Sequence, residues 1–288
     1  MSQPVYRGYD AEAMELQYNP RATVSGVDDI VANWIALSAA FTGRNDCVLD
    51  IPYGDRPEEV LDLYKPATAD APVLIFIHGG YWRALDKKPF AFMAEPLVTA
   101  GALVASINYT LCPAVTIDEI VRQCRAACAW VWRNAKRHGG DPDRIHVTGH
   151  SAGGHLTAMM AATGWPAHER GLPADLLKSA TPLSGLFDLA PILLTSINAD
   201  VRMDAAAASR NSPQAQVPAH DMPMTVAVGG GETDEFRRQS KEFRDRWAGH
   251  LSRIDYIETP GENHFTIIDG IARPGGPIAR ALLGHMGL

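Results

Sequence analysis

The sequence predicts an α/β fold, a mostly parallel and doubly wound sheet in a single domain, and three observations carry that prediction. Short apolar runs suited to buried strands alternate with longer stretches of helical period. The length of 288 residues suits one large α/β domain, and no internal repeat, low-complexity tract or linker divides it. Finally, Gly149-His150-Ser151-Ala152-Gly153 sits between a strand-like run, Arg144 to Thr148, and a helical stretch, His155 to Ala161. A serine flanked by glycines between a strand and a helix implies a turn too tight for neighbouring side chains.

Taken in order, residues 1–45 mix aromatic, polar and apolar residues, with a helical period from Val27 to Ala40. This segment is expected to be an N-terminal extension packed over a domain of residues 46–288. Cys47 to Gly54 and Val60 to Tyr64 alternate as a hairpin would. Val73 to Ile77 is continuously apolar, as in a strand buried on both faces of a parallel sheet. A helix is predicted from about Phe90 to Ala100, a strand over Leu103 to Tyr109, and a long helix over Ile117 to His138 closed by Gly139-Gly140. Ala180 to Gly185 reads as a further strand, and Leu186 to Met222 as short helices and loops over the C-terminal edge of the sheet. Met224 to Val228 and Arg253 to Ile257 are the last strands, with helices over Glu235 to His250 and Ile278 to Met286. Strands alternating with helices imply right-handed crossovers.

Composition narrows the function classes. A net charge of −7 with no basic stripe argues against nucleic acid or an anionic membrane as the main partner. The leading stretch from Met1 to Gly8 lacks the apolar core of a signal peptide, and no apolar run approaches the ~20 residues that span a bilayer. A cytoplasmic protein is the expectation. Cys47, Cys112, Cys124 and Cys128 form no metal-like pairing and no disulfide framework, and the ten histidines form no ligand set, so neither metal nor cofactor is expected. Cys124 and Cys128 are four apart in a predicted helix and can share a buried face.

The chemistry starts at Ser151. Gly-x-Ser-x-Gly between strand and helix is the nucleophile elbow of the α/β-hydrolase fold. A serine hydroxyl needs a base, and in this fold the order along the chain is Ser, acid, His. His264, in the polar loop Gly261-Glu262-Asn263-His264-Phe265 beyond the last strand, is the candidate base; His250 and His285 fall in helical patterns. The acid belongs on the loop after Met224 to Val228, where spacing leaves Glu232 and Asp234 both open. Helix capping accounts for a carboxylate at Asp234 or Glu235, whereas Glu232 lies deeper in the loop. His78-Gly79-Gly80-Tyr81-Trp82 follows a strand where an oxyanion loop belongs, so the amides of Gly79, Gly80 and Ala152 are candidate oxyanion donors. Tyr81, Trp82 and Phe187 are candidate walls for an aromatic group.

These residues resemble the kynurenine formamidase (arylformamidase) family of α/β-hydrolases. The matching pieces are His78 to Trp82, Gly149 to Leu156, Ser184 to Leu189, Arg210 to Pro213, Glu235 to Ser240 and His264-Phe265, spread from about Tyr53 to His264. The resemblance implies hydrolysis of N-formyl-L-kynurenine to kynurenine and formate, with side activity on small aryl esters. It puts the acid at Glu232, where the family carries aspartate, with Asp234 as runner-up. A broad carboxylesterase is the alternative of the same chemistry. A non-catalytic binding protein is the alternative of another class, though such proteins usually lack a triad member or an oxyanion glycine. The partner expected is a small aryl formamide or ester, and a homodimer is left open.

Overall fold

The structure, a computed structural model, describes residues 3–288; Met1 and Ser2, part of the stretch read for a signal peptide, lie outside them. Eight strands build one sheet: β1 Cys47–Pro52, β2 Val60–Tyr64, β3 Ala71–Ile77, β4 Leu103–Ile107, β5 Gly140–His150, β6 Ser179–Leu183, β7 Met224–Gly229 and β8 Ile254–Thr259. Their order is β1-β2-β4-β3-β5-β6-β7-β8. The hairpin β1/β2 is antiparallel and joins β4 antiparallel, while β4, β3 and β5 through β8 run parallel. This is the doubly wound, mostly parallel sheet that the alternating pattern predicts.

Apolar continuity in the central strands follows from their burial on both faces. Every residue of β3, β4, β6 and β7 is buried. Along β3 the side chains alternate between layers: Val73, Ile75 and Ile77 pack with Leu103, Ile120 and Cys124, whereas Leu74 and Phe76 pack with Phe90, Leu97 and Ile278. Cys124 and Cys128 share the first of these layers as free thiols.

Several elements differ from their predicted limits for local reasons. The stretch predicted as one helix from Phe90 to Ala100 is a 3-10 turn over Lys88–Ala94 followed by a short α-helix over Glu95–Ala100. Pro89 and Pro96 each stand in a first turn, where a missing N–H is tolerated but a continuous ladder is not. The long helix is α-helical over Ile117–Asn134 and tightens to a 3-10 turn at Ala135–His138, closed by Gly139 at φ 85°. The strand before the elbow is longer than predicted because it begins at Gly140, where a Cβ would lie 2.7 Å from side-chain atoms of Leu103 and Val73.

The N-terminal region forms three helices, α1 Ala11–Tyr18, α2 Pro20–Thr23 and α3 Val27–Thr42. The α3 residue Trp34 is buried against Phe90 and Phe92, and its indole N–H donates to Asp269 Oδ1 at 3.1 Å. Tyr18 ends α1 fully buried, its hydroxyl donating to Glu235 Oε2 at 2.6 Å. Among the described residues no helix is long and apolar enough to cross a membrane.

Phe76 sits fully buried at the middle of the sheet, beside Phe90 at 5.7 Å between ring centroids. Phe76→Ala is expected to lower unfolding free energy by about 3–5 kcal/mol, the usual cost of such a cavity. Urea titration followed by circular dichroism checks it, and a loss below about 1 kcal/mol would contradict this packing.

Candidate active site

The elbow is built by close approach of backbones. Ser151 takes φ 58° and ψ −118°, and its amide donates to the Leu183 carbonyl at the end of β6. A Cβ on Gly153 would lie 1.9 Å from the Ile77 carbonyl oxygen, and one on Gly149 would lie 2.4 Å from the Gly153 oxygen. Gly154 is as constrained, against the Leu183 oxygen at 2.6 Å. Only hydrogen fits at these positions. The turn leads into helix Ala152–Ala161, whose amino end lies beside the serine.

The loop after β3 meets the elbow from the other side. A Cβ on Gly79 would lie 2.9 Å from the His150 oxygen and 3.2 Å from Ser151 Cβ. Gly80, at φ 111°, has room for no side chain, since a Cβ would lie 1.9 Å from the Ala84 oxygen. Among the described residues the amides of Gly79, Gly80 and Ala152 have no hydrogen-bond acceptor in the protein. These three donors therefore stand beside Ser151 without partners of their own.

The structure brings three of the candidate residues into one hydrogen-bonded chain. His264 Nε2 lies 2.9 Å from Ser151 Oγ, and His264 Nδ1 lies 2.6 Å from Glu232 Oε2. A carboxylate only accepts, so Nδ1 carries the hydrogen and Nε2 faces the serine hydroxyl as an acceptor. Glu232 Oε1 accepts from Ser184 Oγ at 2.5 Å and from the Gly229 amide at 2.7 Å, which fixes the longer side chain at two points. All three side chains are nearly excluded from solvent.

Asp234, the other candidate acid, lies elsewhere. It opens helix Asp234–Trp247 with 76% of its side chain exposed and is 3.8 Å from Arg237. The three glycines before Glu232 are needed because this loop is laced to the His264 loop. Gly230 and Gly231 donate to the Thr259 and Glu262 carbonyls at 2.9 Å, and a Cβ on Gly229 would lie 2.4 Å from the Glu262 oxygen.

Sequence reasoning missed the groups that hold this chain in place. His150, at the variable position of the elbow, donates Nε2–H to the His264 carbonyl at 2.7 Å, tying the serine turn to the histidine loop. Burial, with His264 beside it, pushes its pKa down to about 3, so the ring is neutral. Ser184 closes β6 at φ 48°, and Phe236 lies against the His264 ring at 4.4 Å. The serine before Gly185 reads as an ordinary strand end, so nothing local marks Ser184. The imidazole next to the nucleophile was a visible signal for His150.

Beside Ser151 lies a cavity of about 160 Å³. Its apolar walls include Trp34, Tyr81, Phe90, Phe265, Leu85 and Ile197, and its elbow side is His150, Ser151 and His264. Tyr81 lines this cavity, with its hydroxyl hydrogen-bonded to the Tyr18 carbonyl. Trp82 and Phe187 do not, and this corrects the sequence reading. Trp82 is fully buried on the core side, its indole N–H donating to His155 Nδ1 at 3.2 Å. Phe187 is also fully buried and stacks on Phe243 at 4.0 Å, beyond β6. Tyr81 and Trp82 stand in a left-handed turn, at φ 51° and 58°, and the hydrogen bond to His155 holds the Trp82 indole on the core side, while the Phe187 backbone N–H donates to Gln239 Oε1. Among the described residues no group of three or more His, Cys, Asp or Glu side chains is placed to hold a metal ion.

Burial lowers the pKa of four imidazoles: His78, His146 and His155 to about 4 and His150 to about 3. The unfolded chain, with imidazoles near ~6.5, binds protons that the folded chain refuses. Stability is therefore complete above about pH 6.5 and falls as pH drops toward 4, by up to ~1.4 kcal/mol per pH unit for each group. Urea denaturation at pH 7.5 and 5.0 should show a clearly lower midpoint at 5.0; equal midpoints would mean that these rings are not buried neutral.

The family model described as BD-FAE matches residues 61–179, from β2 to the start of β6. Kynurenine formamidase of Danio rerio is 31% identical over 295 residues, covering 98% of this chain and 98% of that protein. The crystal structure of a protein from Silicibacter sp. TM1040, named as a candidate thioesterase, superposes with a TM-score of 0.83 at 31% identity, covering 94% of this chain and 98% of that one. A thermophilic carboxylesterase cloned from a metagenomic library shares the fold at a TM-score of 0.70 and 20% identity, over 92% of this chain and 95% of its own. With the fold, the elbow and full-length similarity in agreement, the chain belongs to the kynurenine formamidase-like family of α/β-hydrolases and is a hydrolase of formamide or ester bonds.

Proposed function

We propose that the enzyme hydrolyses N-formyl-L-kynurenine to kynurenine and formate, with Ser151 as nucleophile, His264 as base and Glu232 as the acid. The observation that carries this reading is the buried chain of contacts from Ser151 Oγ to His264 Nε2 at 2.9 Å and from His264 Nδ1 to Glu232 at 2.6 Å, opening on an aromatic-walled cavity. Ser151 attacks the formyl carbon while His264 takes the hydroxyl proton. Glu232 holds the Nδ1–H tautomer and stabilises the imidazolium. The oxyanion is received by the amides of Gly79 or Gly80 together with that of Ala152. His264 then protonates the leaving aniline nitrogen, the C–N bond breaks, and water deacylates the formyl-serine by the reverse proton transfers.

The aromatic walls suit an aryl leaving group, and a formyl group asks for little room beside the serine. As part of the same reading, residues 1–45 form an extension that completes the substrate cavity of a hydrolase unit spanning 46–288, since Trp34 and the α2 region line it. Four free cysteines, three of them buried, fit a reducing compartment, and the cytoplasm is the location we assign.

Two measurements test the reading. In the first, kcat/KM for N-formyl-L-kynurenine is compared with that for phenyl acetate on one preparation. A formamide value of ~10⁴ M⁻¹s⁻¹ or above is expected, and a negligible one beside brisk ester turnover would transfer the enzyme to small aryl esters. In the second, Ser151→Ala should fall to background with folding intact, and Glu232→Gln should lose about 10³–10⁴-fold in kcat, as expected when the tautomer is no longer held. Asp234→Asn should stay within about twofold, as for an exposed carboxylate remote from the chemistry; a large loss there would reverse the choice of acid.

A further inference from the structure

The walls of the cavity beside Ser151 carry an unusual balance of charge for a chain of net −7. Apart from the imidazoles and the Tyr81 phenol, their only ionisable groups among the described residues are two arginines, Arg21 and Arg83, and no carboxylate lines them. Arg21 comes from α2 and Arg83 from the loop after β3, so separate parts of the chain place cations at one mouth.

Neither guanidinium is used up. Arg21 donates through Nη1 alone to Asp28 Oδ1 at 2.9 Å, and Arg83 through Nη1 alone to Asp200 Oδ2 at 2.5 Å. Neither of these aspartates lines the cavity. A guanidinium has five N–H donors in a planar fork, so each arginine keeps most of its donors. Arg238 shows the contrast of a structural arginine, giving Nε and Nη2 to Glu235 and Nη1 to Glu242. Asn19, also on the cavity wall, has a side-chain amide without a partner in the protein among the described residues.

We propose that Arg21 and Arg83 select substrates bearing a carboxylate remote from the scissile bond, by charge-assisted hydrogen bonds from the free edges of their guanidinium groups. The proposal deepens the formamidase reading and rests on it. N-formyl-L-kynurenine carries an aryl formamide at one end and an amino-acid head at the other. With the formyl group assigned to Ser151 and the ring to the aromatic wall of Trp34, Phe90 and Phe265, the proposal assigns the head to the arginine side of the cavity. The Asn19 amide oxygen is an acceptor for the ammonium of that head.

The test compares N-formyl-L-kynurenine with 2′-formamidoacetophenone, the same aryl formamide without the amino-acid head. The wild type should prefer the charged substrate at least about 100-fold in kcat/KM, as two such contacts together imply. Arg21→Gln and Arg83→Gln should each cut that preference by about 10- to 100-fold, the worth of a hydrogen bond to a charged group. The double variant should bring it near unity, and lysine at either position should restore part of it. No preference in the wild type, or a preference kept in the double variant, overturns the proposal.

A second arm does not require formamide turnover: inhibition of phenyl acetate hydrolysis by L-kynurenine and by 2′-aminoacetophenone. Stronger, arginine-dependent inhibition by L-kynurenine supports the carboxylate site even if the formamidase reading fails. Equal inhibition by the two compounds overturns it. Acetyl-coenzyme A hydrolysed faster than N-formyl-L-kynurenine, with the same dependence on Arg21 and Arg83, also overturns it by assigning the arginines to phosphate.

Discussion

The turn at Ser151 is the constraint on which the rest of the site depends. A serine at φ 58° costs backbone strain that the surroundings must hold in place. They do so by contact: Gly153 against the end of β3, Gly154 against the end of β6, and the Ser151 amide on the Leu183 carbonyl. These contacts bring the ends of three neighbouring parallel strands within reach of one side chain. The Gly79-Gly80 loop follows β3, the serine follows β5 and Ser184 follows β6, so the sheet's own spacing of about 4.8 Å sets the scale of the site.

The Glu232 and His264 loops come from the next two strands, β7 and β8, and they are not independent. Gly229 to Gly231 run so close to Thr259 and Glu262 that the two loops share backbone hydrogen bonds. Glu232 then meets three donors, from Ser184, Gly229 and His264, in a region closed to water. A buried carboxylate is costly without such partners, and here every contact also orients it. His150 completes the arrangement as a neutral donor to the His264 backbone, coupling the serine turn to the His264 loop. The chemistry proposed for the site uses only groups that the fold already holds rigid.

The N-terminal helices add what the sheet does not supply. Tyr18 binds Glu235 and Gln239 with its hydroxyl and accepts from Tyr81 with its carbonyl, so the end of α1 is joined to helix Asp234–Trp247 and to the cavity wall. Directly after it come Asn19, Pro20 and Arg21, all facing the cavity, and Trp34 in α3 closes the aromatic side. Trp34 and Arg21 thus reach the cavity from a segment more than a hundred residues before the elbow, and meet Arg83 from the loop after β3. The sheet positions the Ser151, His264 and Glu232 side chains, whereas this added layer supplies part of the cavity wall.

What the sequence by itself determined was whatever has a local cause. Continuous apolar runs mark strands buried on both faces, so β3, β4 and β7 could be read directly. Gly-x-Ser-x-Gly needs its glycines for a turn formed within five residues, and the chain order of the fold placed His264 in the last loop. Tertiary structure decided matters that depend on distant neighbours. Glu232 and Asp234 are two residues apart and chemically alike, and only the lacing of their loop to residues 259–262 separates the buried carboxylate from the exposed one. Tyr81 and Trp82 are adjacent aromatics, yet one faces the cavity and the other the core, because His155 offers a hydrogen bond on the core side. Local rules fix turns and periods over a few residues, but which side chain faces a cavity depends on elements brought together across the whole chain.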